Sequence, residues 1–303
     1  MVGRFSQFRF ACKSTALASA LLGGLWIGDP SPANAQSWDG KLPKSAFFVG
    51  AGAGAAFSNF GNQSVYNKGL SVVHIGGVPV ASGSADGPPV QTVLGSQTTF
   101  APTLQLGYMQ RFGDSDWLWG AKFSYAYVGA TSYVTNLVIP QAGSSSNSGV
   151  SSFTGFSVTD RYEITLRHQT AFMPFVGRSF DSGFFYVGAG PSLSQVESKL
   201  VGVVGYATIN GVLTDISGAP QSVTDNSWRF GTAATAGVTY FLTPRWFVDV
   251  SYVFAMPNAR TNYVASPFNN PRTGGASFMG TLLGTYTADV SSHSVLATIN
   301  FTF

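Results

Sequence analysis

Phe47-Phe48-Val49-Gly50-Ala51-Gly52-Ala53-Gly54-Ala55-Ala56-Phe57 is the stretch that decides the fold. Phe47, Val49, Ala51, Ala53, Ala55 and Phe57 share one side of an extended chain, and Gly50, Gly52, Gly54 and Ser58 share the other. The period is two, which is that of a strand, and not the 3.6 of a helix.

The same rhythm recurs outward from this stretch. Segment 99-112 sets Phe100, Leu104, Leu106, Tyr108 and Phe112 against Thr99, Thr103, Gln105, Gly107 and Arg111, and 117-128 sets Trp117, Trp119, Phe123, Tyr125 and Tyr127 against Gly120, Lys122 and Ser124. Segments 161-178 and 184-198 follow, with Ile164, Leu166, Phe172 and Val176, then Phe185, Val187, Ala189 and Leu193, on the oily side. In 227-242 and 246-256 that side carries Trp228, Phe230, Val238 and Tyr240, then Val248, Val250, Tyr252 and Phe254. The last segment, 286-303, alternates Val295, Ala297, Ile299, Phe301 and Phe303 with Ser294, Thr298, Asn300 and Thr302. Eight such segments predict an all-β fold, a transmembrane antiparallel up-and-down barrel.

Charge parity supports lipid outside and polarity inside, because a cation facing lipid at mid-depth costs about 2-4 kcal/mol. Arg111, Lys122, Arg161, Glu163, Arg167, Arg229 and Asp249 all share the inward parity. The outward exceptions, Arg178, Glu197 and Asp289, lie close to segment ends. A soluble sandwich would place its charges the other way round. A helical membrane protein is excluded too, since beyond the amino end no run of about 18 apolar residues occurs.

The connections alternate short and long. Residues 113-116, 179-183 and 243-245 are tight, whereas 59-98, 129-160, 199-226 and 257-285 are long and rich in Gly, Ser, Asn and Thr, as periplasmic turns and extracellular loops are. Gly76-Gly77 and Asn210-Gly211 each sit between β-prone runs and predict hairpins in the first and third long loops. Were either to pair into the wall, the count would be ten strands rather than eight.

The amino end fixes the compartment expected. Arg4, Arg9 and Lys13 precede an apolar stretch from Ala16 to Ile27, and Ala33-Asn34-Ala35 forms a small-x-small cleavage site. A signal peptide over 1-35 is expected, cleaved after Ala35, then a short periplasmic segment 36-45 and the barrel over 46-303, placed in the outer membrane of a Gram-negative cell. Cys12 leaves with the signal, so the mature chain has no thiol. Of 16 basic and 13 acidic residues, 13 and 12 remain, and the basic balance of the whole chain implies no nucleic-acid partner.

The glycine-alternating first strand, Pro174-Phe175-Val176-Gly177, Val187-Gly188-Ala189-Gly190-Pro191 and the terminal Ile299-Asn300-Phe301-Thr302-Phe303 resemble the opacity-type and OmpA-like outer-membrane barrels of the porin family. The resemblance spans nearly all of 46-303. It implies an assembly signal at Ile299, Phe301 and Phe303, read by the barrel-assembly machinery. Pro102, Pro174 and Pro191 depart from a simple wall, because each removes a ladder donor; all have outward parity, where a bulge would absorb them.

An eight-stranded wall encloses room for side chains and little more. Lys122, Arg167 and Arg229 are therefore expected to neutralise Glu163 and Asp249 in the lumen, either as a buried plug or as solvated charges. Tyr108, Phe112, Trp117, Trp246 and Phe303 form one expected aromatic belt, and Phe57, Phe100, Tyr127, Tyr162 and Trp228 the other. Asp289, Ser291 and His293 share one face and are the best candidates for catalysis of a lipid A-modifying kind, but same-face neighbours stand about 7 Å apart, beyond a nucleophile-base hydrogen bond. His74 and His168 lack a ligand-spaced partner, so no metal, no cofactor and no catalytic residue is expected.

The functional expectation is a structural or surface-interaction protein whose loops meet lipopolysaccharide, a host surface or a neighbouring cell. The alternative is a narrow porin-like channel for small solutes. No peptidoglycan-binding domain is expected after Phe303.

Overall fold

The computed structural model describes residues 42-146, 152-209 and 211-303. The expected signal peptide, its cleavage site and most of the short segment after it lie outside the described residues. Fourteen antiparallel strands make up a single sheet.

Eight of them close a ring. β1 (Ser45–Asn59) pairs with β5 (Gln97–Arg111), then follow β6 (Trp117–Ser145), β7 (Ser152–Phe180), β8 (Gly183–Ile209), β10 (Gln221–Phe241), β11 (Trp246–Pro257) and β14 (Ser291–Thr302). β14 returns to β1 without a register shift, from Phe48 opposite Thr302 to Asn59 opposite Ser291. The expected count of eight is met in this ring.

Alternation puts apolar side chains on the outer wall: Leu104, Leu106, Phe123, Phe172, Val187, Phe230, Val250 and Ile299 are all exposed. Glycine lets the seam between β1 and β14 close tightly, since a Cβ on Gly52 would stand 1.9 Å from the Ala297 carbonyl oxygen and one on Gly54 1.8 Å from that of Val295. The bulges expected at the prolines do not form; the register is the same on both sides of each. Between Ala171 opposite Ser192 and Phe175 opposite Gly188 the β7-β8 ladder is interrupted, and Pro174 and Pro191 both fall in that gap. Two missing donors thus share one interruption. Pro102 lies just past Thr103, where the β5-β6 ladder begins.

Among the described residues the long loops are largely strand. They are built from β2 (Asn62–Ile75), β3 (Val78–Asp86), β4 (Val90–Val93), β9 (Val212–Asp215), β12 (Thr261–Pro271) and β13 (Ala276–Thr287), together with the far halves of β6, β7 and β8. The two expected hairpins are present, Ile75 opposite Val78 and Ile209 opposite Val212. The segment expected over 286-303 is divided instead, Tyr286 and Thr287 belonging to β13 and the ring strand starting at Ser291. Strand order β12-β13-β2-β3-β6-β7-β8-β10 gives an outer tier above the ring. Side chains tie β12 to the other end of that order: Ser266 Oγ donates to Gln221 Oε1 of β10 at 3.0 Å and Asn270 Nδ2 to the Asp215 carbonyl of β9 at 3.3 Å.

Tier and ring meet at a joint. Asn136 and Gly202 have left-handed backbones, φ 54° and 68°, and the pairings continue on either side of the row Asn136, Asp160 and Gly202. Along β7 the buried positions are Ser157 and Thr159 before this row and Tyr162, Ile164 and Leu166 after it. The strands exchange faces there.

Candidate functional site: the filled lumen and the outer tier

Lys122 on β6, Tyr186 on β8 and Asp249 on β11 point inward from strands spread around the ring. The Lys122 ammonium donates to Tyr186 Oη at 2.6 Å, Tyr186 Oη donates to Asp249 Oδ1 at 2.8 Å, and Lys122 Nζ stands 3.6 Å from Asp249 Oδ2. Both charged side chains are almost wholly buried. Gln105 Nε2 donates to Thr298 Oγ1 and Asn300 Oδ1, each at 2.7 Å, and Thr239 Oγ1 donates to Asp249 Oδ1 at 3.3 Å. A buried pair of this kind persists because its remaining lone pairs and protons are taken up by neighbours. Neither Tyr186 nor Gln105 was singled out for this role from the sequence, although Gln105 has the inward parity.

The lumen is packed on both sides of this cluster. Toward the short turns lie Phe48, Phe175, Phe184, Phe241 and Phe247, all buried, with Phe48 and Phe247 edge to face at 5.4 Å. Toward the tier, Gln169 donates to Ser194 on the neighbouring strand at 3.2 Å and accepts from Ser292 across the lumen at 3.0 Å. Arg229, also inward, donates to the Ala288 carbonyl at 2.6 Å and stands 3.8 Å from Asp225. Beyond it comes an apolar layer with Phe60, Leu94, Ile164, Leu166, Tyr162 and Tyr286.

Glu163 and Arg167 are not in the lumen. One extra residue enters β7 relative to β8 between Leu166 and Gln169, where Arg167 and His168 oppose Gln195, and this bulge reverses the alternation. Ile164 and Leu166, expected on lipid, are buried inside, and so is Tyr162, expected in the outer belt. Glu163 and Arg167 instead join Arg161, Glu197 and Lys199 in an outer-face network. Arg161 pairs with Glu163 at 2.6 Å, Lys199 with Glu197 at 2.9 Å and with Glu163 at 3.6 Å, and Arg167 with Glu197. The hydrogen bond to Glu197 holds the Lys199 ammonium above the usual lysine range. Arg161 lies over the Tyr133 ring at 3.9 Å.

The outer wall bears the remaining candidates. Ile299 and Phe303 are exposed, and Phe301 packs on Trp246 at 5.1 Å, Phe47 on Phe303 at 6.5 Å. His293 Nδ1 shares a hydrogen bond with Tyr252 Oη and its ring packs on Phe254 at 4.9 Å. Asp289 stands off the ring, its backbone N–H donating to Gln63 Oε1 at 3.1 Å. His168 meets Tyr125 Oη at 2.8 Å and stacks near Trp228. Among the described residues no group of three metal-ligating side chains stands together.

No protein-family model and no curated protein matches the chain. Similar solved structures include Ail, the attachment invasion locus protein of Yersinia pestis, in complex with the heparin analogue sucrose octasulfate, at 12% identity and TM-score 0.28 over 83% of this chain and 99% of that one. Neisserial surface protein A matches at 14% and 0.28, over 86% and 100%. The outer membrane protease OmpT of Escherichia coli matches at 10% and 0.26, over 87% and 98%. At these scores the likeness adds nothing to what the strand pairing shows by itself.

Proposed function

We propose that the protein is a surface-interaction protein of the outer membrane, in which the eight-stranded ring is a filled anchor and the strand-built tier is the working part. The observation that carries this reading is the length of β6 and β7, 29 residues each, against the 9-11 or so that span a bilayer. Most of each strand therefore stands clear of the apolar band, braced against its neighbours instead of hanging as loose loop.

The narrow-channel alternative is disfavoured by the packing of the lumen from the phenylalanine layer to the Tyr162-Tyr286 layer. The outer-face network of Arg161, Arg167 and Lys199 suits contact with lipopolysaccharide phosphates at the rim, where each cation already has a carboxylate to exchange. Ile299, Phe301 and Phe303 are the proposed handle for the barrel-assembly machinery, while Ser291 and His293, the latter bonded to Tyr252, are given no catalytic role.

Two measurements test this. Cysteine placed at Val78, on a tier tip, and at Asp114, in the short turn at the opposite end, is to be probed in intact cells with a membrane-impermeant maleimide. Val78→Cys is expected to label at once and Asp114→Cys only after permeabilisation; the reverse order would invert the tier. In planar bilayers the purified protein is expected to give no stable large conductance, and a sustained open channel would overturn the filled-anchor reading.

A further inference from the structure

The tier holds a partly open cavity of about 230 Å³ between β2, β3, β6, β7, β8, β10, β12 and β13. Val73, Phe153, Val203, Ile216, Phe278 and Leu282 supply its apolar lining, and no lining side chain is ionisable. Several polar groups at its wall are tied up in hydrogen bonds, while Ser71 Oγ is buried without a partner among the described residues. Gln141 Nε2 donates to the Asn67 carbonyl at 2.9 Å and Asn67 Nδ2 to Ser157 Oγ at 3.1 Å, while Ser217 Oγ accepts from the Gly205 N–H at 2.7 Å. What faces the space is therefore mostly hydrocarbon, and an apolar cavity of some 150 Å³ already stays dry and takes up benzene.

A cation lies against one wall of this space, in contact with the lining residue Phe278 without itself lining the cavity. Arg272, in the turn from β12 to β13, lies over the ring of Phe278 with its guanidinium carbon 5.6 Å from the ring centre. The bond from its backbone N–H to the Ala276 carbonyl, 2.7 Å, holds the turn. Its Nε and Nη2 are both buried, and neither has a hydrogen-bond partner among the described residues. Two buried guanidinium donors without partners are costly to leave so, although the residue as a whole is only partly buried. Nε and Nη2 together form the side-on edge of the guanidinium, the fork that receives a carboxylate through two parallel bonds.

We propose that the tier binds an amphiphile with one carboxylate and an apolar tail, the carboxylate on Nε and Nη2 of Arg272 and the tail in the cavity. Scaled from the benzene-holding cavity, the space fits a tail of about nine carbon atoms. No bond is made or broken, so the site is one of capture. It deepens the reading of the tier as the working part yet fails separately from it, because cysteine labelling locates the tier and a binding titration interrogates the cavity.

The test is calorimetric titration of nonanoate into the full-length mature protein in nanodiscs, with empty nanodiscs of the same lipid as the blank. Saturable binding is expected. Arg272→Leu is expected to weaken it at least tenfold, with Arg272→Lys in between because it keeps the charge but loses the fork. Gly205→Leu is expected to weaken it tenfold or more by filling the space, since a Cβ there meets nothing closer than Ile216 Cγ1 at 3.7 Å. Heat-modifiable gel migration checks that each variant is folded, and Gly69→Leu, whose Cβ meets nothing within 4 Å, replaces Gly205→Leu if that variant does not fold. Heat equal to the blank, or full-strength binding by either Arg272→Leu or the cavity-filled variant, overturns the proposal.

Discussion

Lys122 and Asp249 show what a single inward charge does in this wall. With both side chains nearly inaccessible, removing one leaves the other buried and unpaired, a loss of about 3-5 kcal/mol, whereas removing both together leaves no orphan charge. Lys122→Met and Asp249→Leu are each expected to lower the urea midpoint of the refolded protein strongly, and the double variant to lose much less than their sum. Additive losses would mean that the two groups do not depend on each other. Arg167, by contrast, is 43% exposed on the outer face, so Arg167→Ala is expected to cost no more than about 1 kcal/mol in the same assay. The inward parity of Lys122 and Asp249 could be read from residues because alternation runs unbroken there. That of Glu163 and Arg167 could not: the bulge at Arg167-His168 carries no Gly, Pro or Asn to announce it, and one extra residue turns the side chains between it and the Asp160 row to the other face.

Strands that touch lipid were legible and strands that touch water were not. Lipid demands an oily outer face, so β1, β5, β11 and β14 declare themselves by alternation, while β2, β3, β12 and β13 meet water outside and need no such contrast; their Gly, Ser, Thr and Asn content reads as loop. Only the glycine-centred turns of the tier gave a signal. The same distinction makes the β1-β14 seam the element most sensitive to side-chain bulk. In Gly52→Val the new branch would be driven into the Ala297 carbonyl, and a strand that cannot approach cannot complete the ladder. Gly52→Val is expected to abolish the heat-modifiable folded band after refolding, while Ala53→Val, on the lipid side of the same strand, keeps it. Equal folding of both would show that close approach at this seam is not required.

At the scale of the whole molecule the two storeys are closed by different means, and their stability should differ accordingly. The ring has no edge, since β14 bonds β1 on one side and β11 on the other, whereas in the tier β12 has a ladder to β13 and meets β10 through the bond of Ser266 and β9 through that of Asn270. A strand with one ladder leaves alternate amides without a backbone acceptor, and such amides exchange by local opening far below the global unfolding free energy. In hydrogen-deuterium exchange of the protein in bilayers, alternate amides of β12 are expected to exchange within minutes, while those of β14 stay protected for hours or longer. Peptides covering Thr261–Pro271 that proved as protected as those covering Ser291–Thr302 would mean that β10 and β12 share a backbone ladder in the membrane-bound protein. The difference has a functional sense, because a tier with one soft seam can part between β10 and β12 beside the cavity, admitting a ligand from the outer side while the ring beneath it keeps the membrane sealed.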